Sequence, residues 1–130
     1  MDKIDDFLSK KIFAVAGASL NRDKYGNKVL RCYIQNSCIV TPINPKNSTV
    51  EGLNAVKTIE ELSDDIEALS IVTPPSVTLK IVESALKKGI RQFWMQPGSE
   101  NSEAIKIAEE SGASVIHGGD CILVAMGYLE

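Results

Sequence analysis

The sequence predicts an α/β fold: a doubly wound, five-stranded parallel sheet with helices on both faces. Three observations predict it. Short apolar runs alternate five times with amphipathic stretches along the chain, which is the pattern of strand–helix–strand units. The runs FAVA, ALSIV and SVI are almost continuously apolar, as strands buried on both faces must be. The 130 residues are about one domain's worth of chain, enough to bury a core without disulfides or metals. Residues 1–130 are accordingly expected to form a single domain.

Taken in order, Ile4 to Ser9 reads as a short helix, and Lys11 to Ala16 (KIFAVA) is the first strand, ended by Gly17. After a polar loop, Ala18 to Asp23, the residues Val29, Leu30, Tyr33 and Ile34 make one face of a helix over Tyr25 to Gln35. Cys38 to Ile43 (CIVTPI) is the second strand. The stretch from Asn44 to Asn54, with Pro45 and Gly52, reads as a loop. Thr58 is placed to cap a short helix through Leu62, with Glu61 at the capping-box position. Glu67 to Val72 (EALSIV) is the third strand. Ser76 to Lys88 carries the clearest apolar stripe, Val77, Ile81, Val82, Ala85 and Leu86, and Gly89 ends it. Ile90 to Met95 is the fourth strand, with Phe93 and Trp94 as core. Asn101 to Ser111 is a helix with Ala104, Ile105 and Ala108 inward, Ala113 to His117 the fifth strand, and Asp120 to Tyr128 a turn of helix. Right-handed crossovers and a start in the middle of the sheet give the order 3-2-1-4-5, a Rossmann-like half.

Composition narrows the function classes. Hydrophobic residues at 44% and charged residues at 24% describe an ordinary globular chain, and a net charge of −3 argues against a general nucleic-acid binder. No apolar run approaches the ~20 residues that span a bilayer, and the N-terminal MDKIDDFLSKK is too acidic for a secretory signal. A cytoplasmic protein without membrane contact is the expectation. Cys32, Cys38 and Cys121 form no CxxC pair and leave an odd thiol; with His117 as the one histidine they are little material for a zinc site, which usually takes four Cys/His ligands.

In an open parallel sheet the ligand lies beyond the carboxyl ends of the strands, where the order reverses. The order above puts this crevice between the first and fourth strands. Gly17-Ala18-Ser19 and Gln96-Pro97-Gly98 should flank it, and Asn44-Pro45-Lys46 and Thr73-Pro74-Pro75 should extend the edge. Gly17 lets backbone approach a ligand, Ser19 offers a hydroxyl, and the helix behind them offers free N–H groups to an anion. Arg22, Lys24, Lys28 and Arg31 against Asp23 give a local positive surplus suited to phosphate. The run from Gly17, GASLNRDKYG, is not the dinucleotide GxGxxG, and the second strand ends in Asn44-Pro45-Lys46 rather than the carboxylate that NAD needs. A lysine there fits a nucleotide with an extra phosphate near its ribose, as in NADP or coenzyme A.

The segments VAGAS at 15–19, DKYGNKVL at 23–30, TPINPK at 41–46, EGL at 51–53, VTPP at 72–75, FWMQPGSE at 93–100 and HGGDC at 117–121 resemble the coenzyme A-binding Rossmann domain. That domain is also the N-terminal part of succinyl-CoA synthetase α subunits, and the similarity here is to its small stand-alone members. The resemblance implies coenzyme A, free or acylated, as the ligand. It implies that Gly17, Ala18 and Ser19 meet the pyrophosphate and that Lys46 holds the ribose phosphate. Thr73 and Pro74 would wall the nucleotide, and Gln96 and Pro97 would face the pantetheine arm. Arg22, Lys24 and Tyr25 beside the first loop, and Asn44 before Lys46, complete the candidate set. The synthetases also need a phosphorylated histidine in a later domain and an ATP-grasp partner. This chain runs to Glu130 with neither, so the resemblance implies binding without autonomous catalysis.

Rival readings stay open. An NADP-dependent oxidoreductase, or a subunit of an acyl-CoA enzyme with a protein partner, is the second reading; a regulatory protein with a vestigial site is the third. His117 is expected to be structural. Cys121 is either a half-buried small hydrophobe or a thiol able to exchange with the thiol of coenzyme A. Pro74-Pro75 serves equally as a helix start.

Overall fold

Alternation of side chains along short apolar runs, and a 3.6-residue stripe on the segments between them, sort this chain into strands and covering helices. The structure, a computed structural model, describes residues 2–130. In chain order the elements are α1 (Lys3–Leu8), β1 (Ile12–Ala16), α2 (Tyr25–Gln35), β2 (Ile39–Ile43), β3 (Thr49–Val50) and β4 (Leu53–Asn54). After a 3₁₀ turn at Ile59–Glu61 come β5 (Ala68–Ile71), α3 (Pro75–Lys87), β6 (Gln92–Met95), α4 (Ser102–Glu110), β7 (Ser114–Ile116) and α5 (Ile122–Ala125). Local chemistry sets the ends. Asp2 and Asn101 cap α1 and α4 by accepting from the N–H groups of Asp5 and Ala104. Thr58 precedes the 3₁₀ turn, but its side chain makes no capping bond.

Five parallel strands form the sheet, in the order β2-β1-β5-β6-β7. The pleat sends Phe13, Val15, Trp94 and Ile116 to one face, against Phe7 of α1 and Val29, Leu30 and Tyr33 of α2. It sends Ala14, Ala16, Leu69, Ile71, Phe93 and Met95 to the other, against Val82 and Ala85 of α3 and Ala104 and Ala108 of α4. Phe7 meets Trp94 edge-on at 5.3 Å between ring centroids. Ser70, the one polar side chain of β5, is satisfied by the Tyr33 hydroxyl at 2.7 Å.

The α/β class and the parallel five-stranded sheet are as the sequence predicts, but the order 3-2-1-4-5 is not. Counting these five strands alone, the order is 2-1-3-4-5, because β5 pairs with the inner edge of β1 rather than lying outside β2. The place outside β2 is taken by Val56, which makes a parallel bridge to Ile43. Val56 N donates to Pro42 O at 3.1 Å, and Asn44 N donates to Val56 O at 2.8 Å. A one-residue bridge leaves no apolar run to read, and the expected order puts the third run, here β5, at that place. The same stretch, read as a loop, folds the β3–β4 hairpin around Glu51 and Gly52. The reversal of winding, and with it the crevice, therefore falls between β1 and β5 and not between the first and fourth strands of the sequence reading. Among the described residues no helix is long and apolar enough to cross a membrane.

Candidate functional site

The turn after β1 is locked between two backbones. Gly17 has φ +90°, and a Cβ built on it would stand 2.0 Å from Val72 O, at the end of β5. Gly26, in the first turn of α2, repeats the constraint: its Cβ would stand 2.0 Å from Gly17 O. The two glycines let α2 and the end of β5 close on the turn from either side. Lys24 precedes α2 in extended conformation without a capping bond, and the helix has no acidic residue in its first turn. That end thus offers N–H groups and positive dipole to an anion lying along the loop.

Two buried asparagines hold this loop. Asn44, after β2, donates from Nδ2 to Ala18 O at 3.0 Å, while its Oδ1 accepts from Lys46 N at 2.8 Å and Asn47 N at 2.9 Å. Asn27 donates from Nδ2 to Ser19 O at 2.8 Å and to Glu51 Oε2 at 3.0 Å, and accepts from Arg31 Nε at 2.6 Å. Arg31 also donates to Arg22 O at 2.7 Å, and Arg22 pairs with Glu51 at 2.7 Å. Ser19 Oγ accepts from Asn21 N at 3.1 Å.

The basic surplus of the sequence is divided by these contacts. Arg22 and Arg31 brace the loop, and Lys28 pairs with Glu130, whose carboxylate raises the pKa of the lysine. Lys24 is exposed and forms no salt bridge among the described residues. Glu51, to which the sequence reading gave no role, is the carboxylate that joins the hairpin to this network.

A cavity of about 330 Å³ opens where the winding reverses, walled by Ala16, Gly17, Ile43, Pro45, Thr73, Val77 and Ile81. Lys57 and Lys80 stand on its rim. Lys46 is exposed one residue beyond Pro45, with its backbone held by Asn44. Thr73 Oγ1 shares a hydrogen bond with Thr78 Oγ1 at 2.8 Å, and Pro74 is the residue that caps α3. Two other concavities lie apart from this one. An open groove of about 800 Å³ runs past Arg22, Arg31 and Leu129, and a hollow of about 330 Å³ is lined by Asp2, Lys3 and an exposed His117. Neither combines apolar walls with the close backbone approach at Gly17.

Farther along the edge, Gln96 is fully buried at the end of β6. Its Oε1 accepts from the Tyr25 hydroxyl at 3.2 Å and from Ile122 N at 3.0 Å. Tyr25 Oη also lies 2.6 Å from Cys121 Sγ. Burial raises the pKa of Tyr25, so its hydroxyl keeps its proton at neutral pH. Pro97 is half-buried beside Gln96. The structure thus sets Gly17, Ala18, Ser19, Tyr25, Asn44, Thr73 and Gln96 along one edge, with Lys24, Lys46, Pro74 and Pro97 at its margin and Arg22 behind it. Among the described residues no three metal-ligating side chains come together.

A family profile described as "CoA binding domain" matches residues 11–127. An ADP-forming acetate–CoA ligase of Methanocaldococcus jannaschii is 32% identical over 81 residues, which are 62% of this chain and 12% of the ligase. The chain thus spans only a small part of that relative. An uncharacterised protein of Bacillus subtilis is 28% identical over 108 residues, 83% of this chain and 79% of its own length. Among solved structures, a conserved hypothetical protein from Pyrococcus furiosus superposes with a TM-score of 0.84 at 34% identity, covering 89% of this chain and 99% of that one.

Proposed function

The chain belongs to the CoA-binding domain family, and from that premise we propose that it binds coenzyme A, free or acylated, at the carboxyl edge of the sheet and has no catalytic turnover of its own. The observation that carries the reading is the Gly17 turn, closed on both sides by backbone, with an apolar cavity of about 330 Å³ at one side and the uncapped start of α2 at the other. An adenine fits between Pro45, Thr73 and Val77. The pyrophosphate fits along Gly17, Ala18 and Ser19, where backbone N–H groups and the α2 dipole favour negative charge. Lys46, with Lys57 and Lys80 nearby, suits the ribose phosphate, and Gln96 and Pro97 suit the amide-bearing arm. NADP shares the extra phosphate, but the turn lacks its glycine spacing. A second reading, a CoA-carrying module that serves an acyl-CoA ligase through a protein partner, is favoured by the ligase relatives that contain a related segment.

Coenzyme A should raise the melting temperature, since a ligand bound only by the native state stabilises it by mass action. At a hundred-fold excess over Kd the gain is about 2.7 kcal/mol, or about 10 °C for a chain of this size. NADPH at matched concentration should leave the melt unchanged. A shift with NADPH and none with coenzyme A would reverse the assignment.

Lys46→Ala should weaken coenzyme A about ten-fold, the loss of ~1.4 kcal/mol of charge-assisted attraction. It should barely affect dephospho-CoA, which lacks the ribose phosphate. Salt should shrink the wild-type preference between the two ligands, because the lysine is exposed. Calorimetric titration reads all four combinations. Equal losses for both ligands would move Lys46 to the pyrophosphate. Loss of the preference in Lys57→Ala or Lys80→Ala instead would give the phosphate to the cavity rim.

A further inference from the structure

The carboxyl edge ends in a sulfur. The cavity opens among the ends of β2, β1 and β5, and β6 is the next strand along, so an extended ligand with its base there can carry its other end toward Gln96. There Cys121 Sγ lies 2.6 Å from Tyr25 Oη, and Tyr25 in turn reaches Gln96 Oε1. The hydroxyl has one proton and two acceptors. With a neutral thiol it serves Gln96 and accepts from the S–H; with a thiolate it can turn to the sulfur, while Ile122 N continues to serve Gln96 Oε1. Gln96 has no exposed surface, yet its Nε2 has no hydrogen-bond partner. A buried amide donor left unpaired beside this thiol marks the place of an acceptor from outside the chain, such as the amide carbonyls of a pantetheine arm.

The other two cysteines are placed differently. Cys32 has no exposed surface, and burial pushes its thiol up to about 11. Cys38 precedes β2 and so lies at the amino end of the sheet, opposite the ligand edge.

We propose that Cys121 is a thiol–disulfide exchange site for coenzyme A disulfides, joining the coenzyme to the protein through sulfur. The proposal rests on coenzyme A being the ligand of this edge. The oxidant is the disulfide itself, coenzyme A linked through sulfur to a second small thiol. Cys121 loses its proton to water, and the thiolate attacks the coenzyme's sulfur. The Cys121–coenzyme S–S bond forms as the original S–S bond breaks, and the departing thiolate takes a proton from water. Cys121 is oxidised to the mixed disulfide while the second thiol is released reduced. Tyr25 donates its hydrogen bond to the attacking thiolate, and Gln96 Nε2 holds the arm.

The test exposes the intact protein to symmetric coenzyme A disulfide or to glutathione disulfide, followed by whole-protein mass and peptide mapping. One coenzyme A adduct is expected, on Cys121, reversed by dithiothreitol. It should form about ten-fold or more faster than the glutathione adduct, because binding of the coenzyme half positions the reacting sulfurs. Cys121→Ser should abolish it and Cys38→Ser should not. Mapping on the wild-type chain decides the site even if a variant fails to fold. An adduct on Cys38, or equal rates with both disulfides, rejects the proposal. A melting shift with reduced coenzyme A but no adduct on Cys121 rejects the exchange and keeps coenzyme A as ligand; neither shift nor adduct rejects both.

Discussion

Gly26→Ala is expected to destabilise the protein by about 3 kcal/mol, opposite in sign to what helix propensity alone gives. Within a helix, alanine is favoured over glycine by about 1 kcal/mol. Here the new Cβ would lie 2.0 Å from Gly17 O and 2.9 Å from Gly17 C, both backbone atoms. The turn cannot back away, because Gly17 itself rests against Val72 O on its far side. Overpacking of this kind costs about 1–3 kcal/mol and sometimes more. Gly17→Ala should be worse, about 4 kcal/mol, since φ of +90° adds the strain of a left-handed backbone to the clash. Gly112→Ala is the control: its φ is +85° with nothing within 4 Å, so it should lose only about 1–2 kcal/mol. Urea denaturation of the three variants gives the order. A Gly26→Ala protein as stable as wild type would mean that α2 and the turn are not in contact, and the anion site built on that contact would go with it.

The parts of this molecule that were legible in its sequence are those set by local periodicity. The bounds of α2, Tyr25 to Gln35, follow from the stripe of Val29, Leu30 and Tyr33, and the apolar runs mark all five strands of the main sheet. That the loops after β1, β2, β5 and β6 share the carboxyl edge follows from the parallel arrangement of the strands they end. What was not legible is set by pairing across the chain. Val56 builds the outer edge with one bridge and no apolar run around it, so local pattern gives neither the strand order nor the position of the crevice. Asn27 sits among basic residues that suggest a solvated face, yet it is fully buried because Ser19 O and Glu51 take its donors. Arg22 and Lys28 looked like free positive charge; the carboxylates that meet them, Glu51 and Glu130, are distant in sequence. Lys57, before the 3₁₀ turn, and Lys80, on α3, lie 23 positions apart, and only the fold brings them to one cavity.

Asn44→Ala should cost about 3 kcal/mol of stability and lower coenzyme A affinity at least ten-fold. Asn44 is 8% exposed, and its side chain joins two loops that have no covalent reason to stay together. Its Oδ1 closes the turn at Lys46 and Asn47, and its Nδ2 fixes the Ala18 carbonyl of the loop after β1. Truncation to alanine leaves two N–H groups and one carbonyl without these partners, at roughly 1 kcal/mol or more each. The affinity loss has a separate origin. Freed from Asn44, the Ala18 peptide can rotate, and N–H groups aligned for an anion must be ordered again on binding. Asn44→Ser separates the two effects without adding charge. A serine hydroxyl can accept from the following turn, more weakly than asparagine, but is too short to reach Ala18 O. Serine should therefore recover about half the lost stability, ~1.5 kcal/mol, and little of the lost affinity. Thermal melts and calorimetric titration of the two variants read these quantities independently. Affinity that recovers in step with stability would show that the turn at Lys46, rather than the tie to Ala18, positions the ligand, and would shift the weight of the binding site from the Gly17 loop to the end of β2.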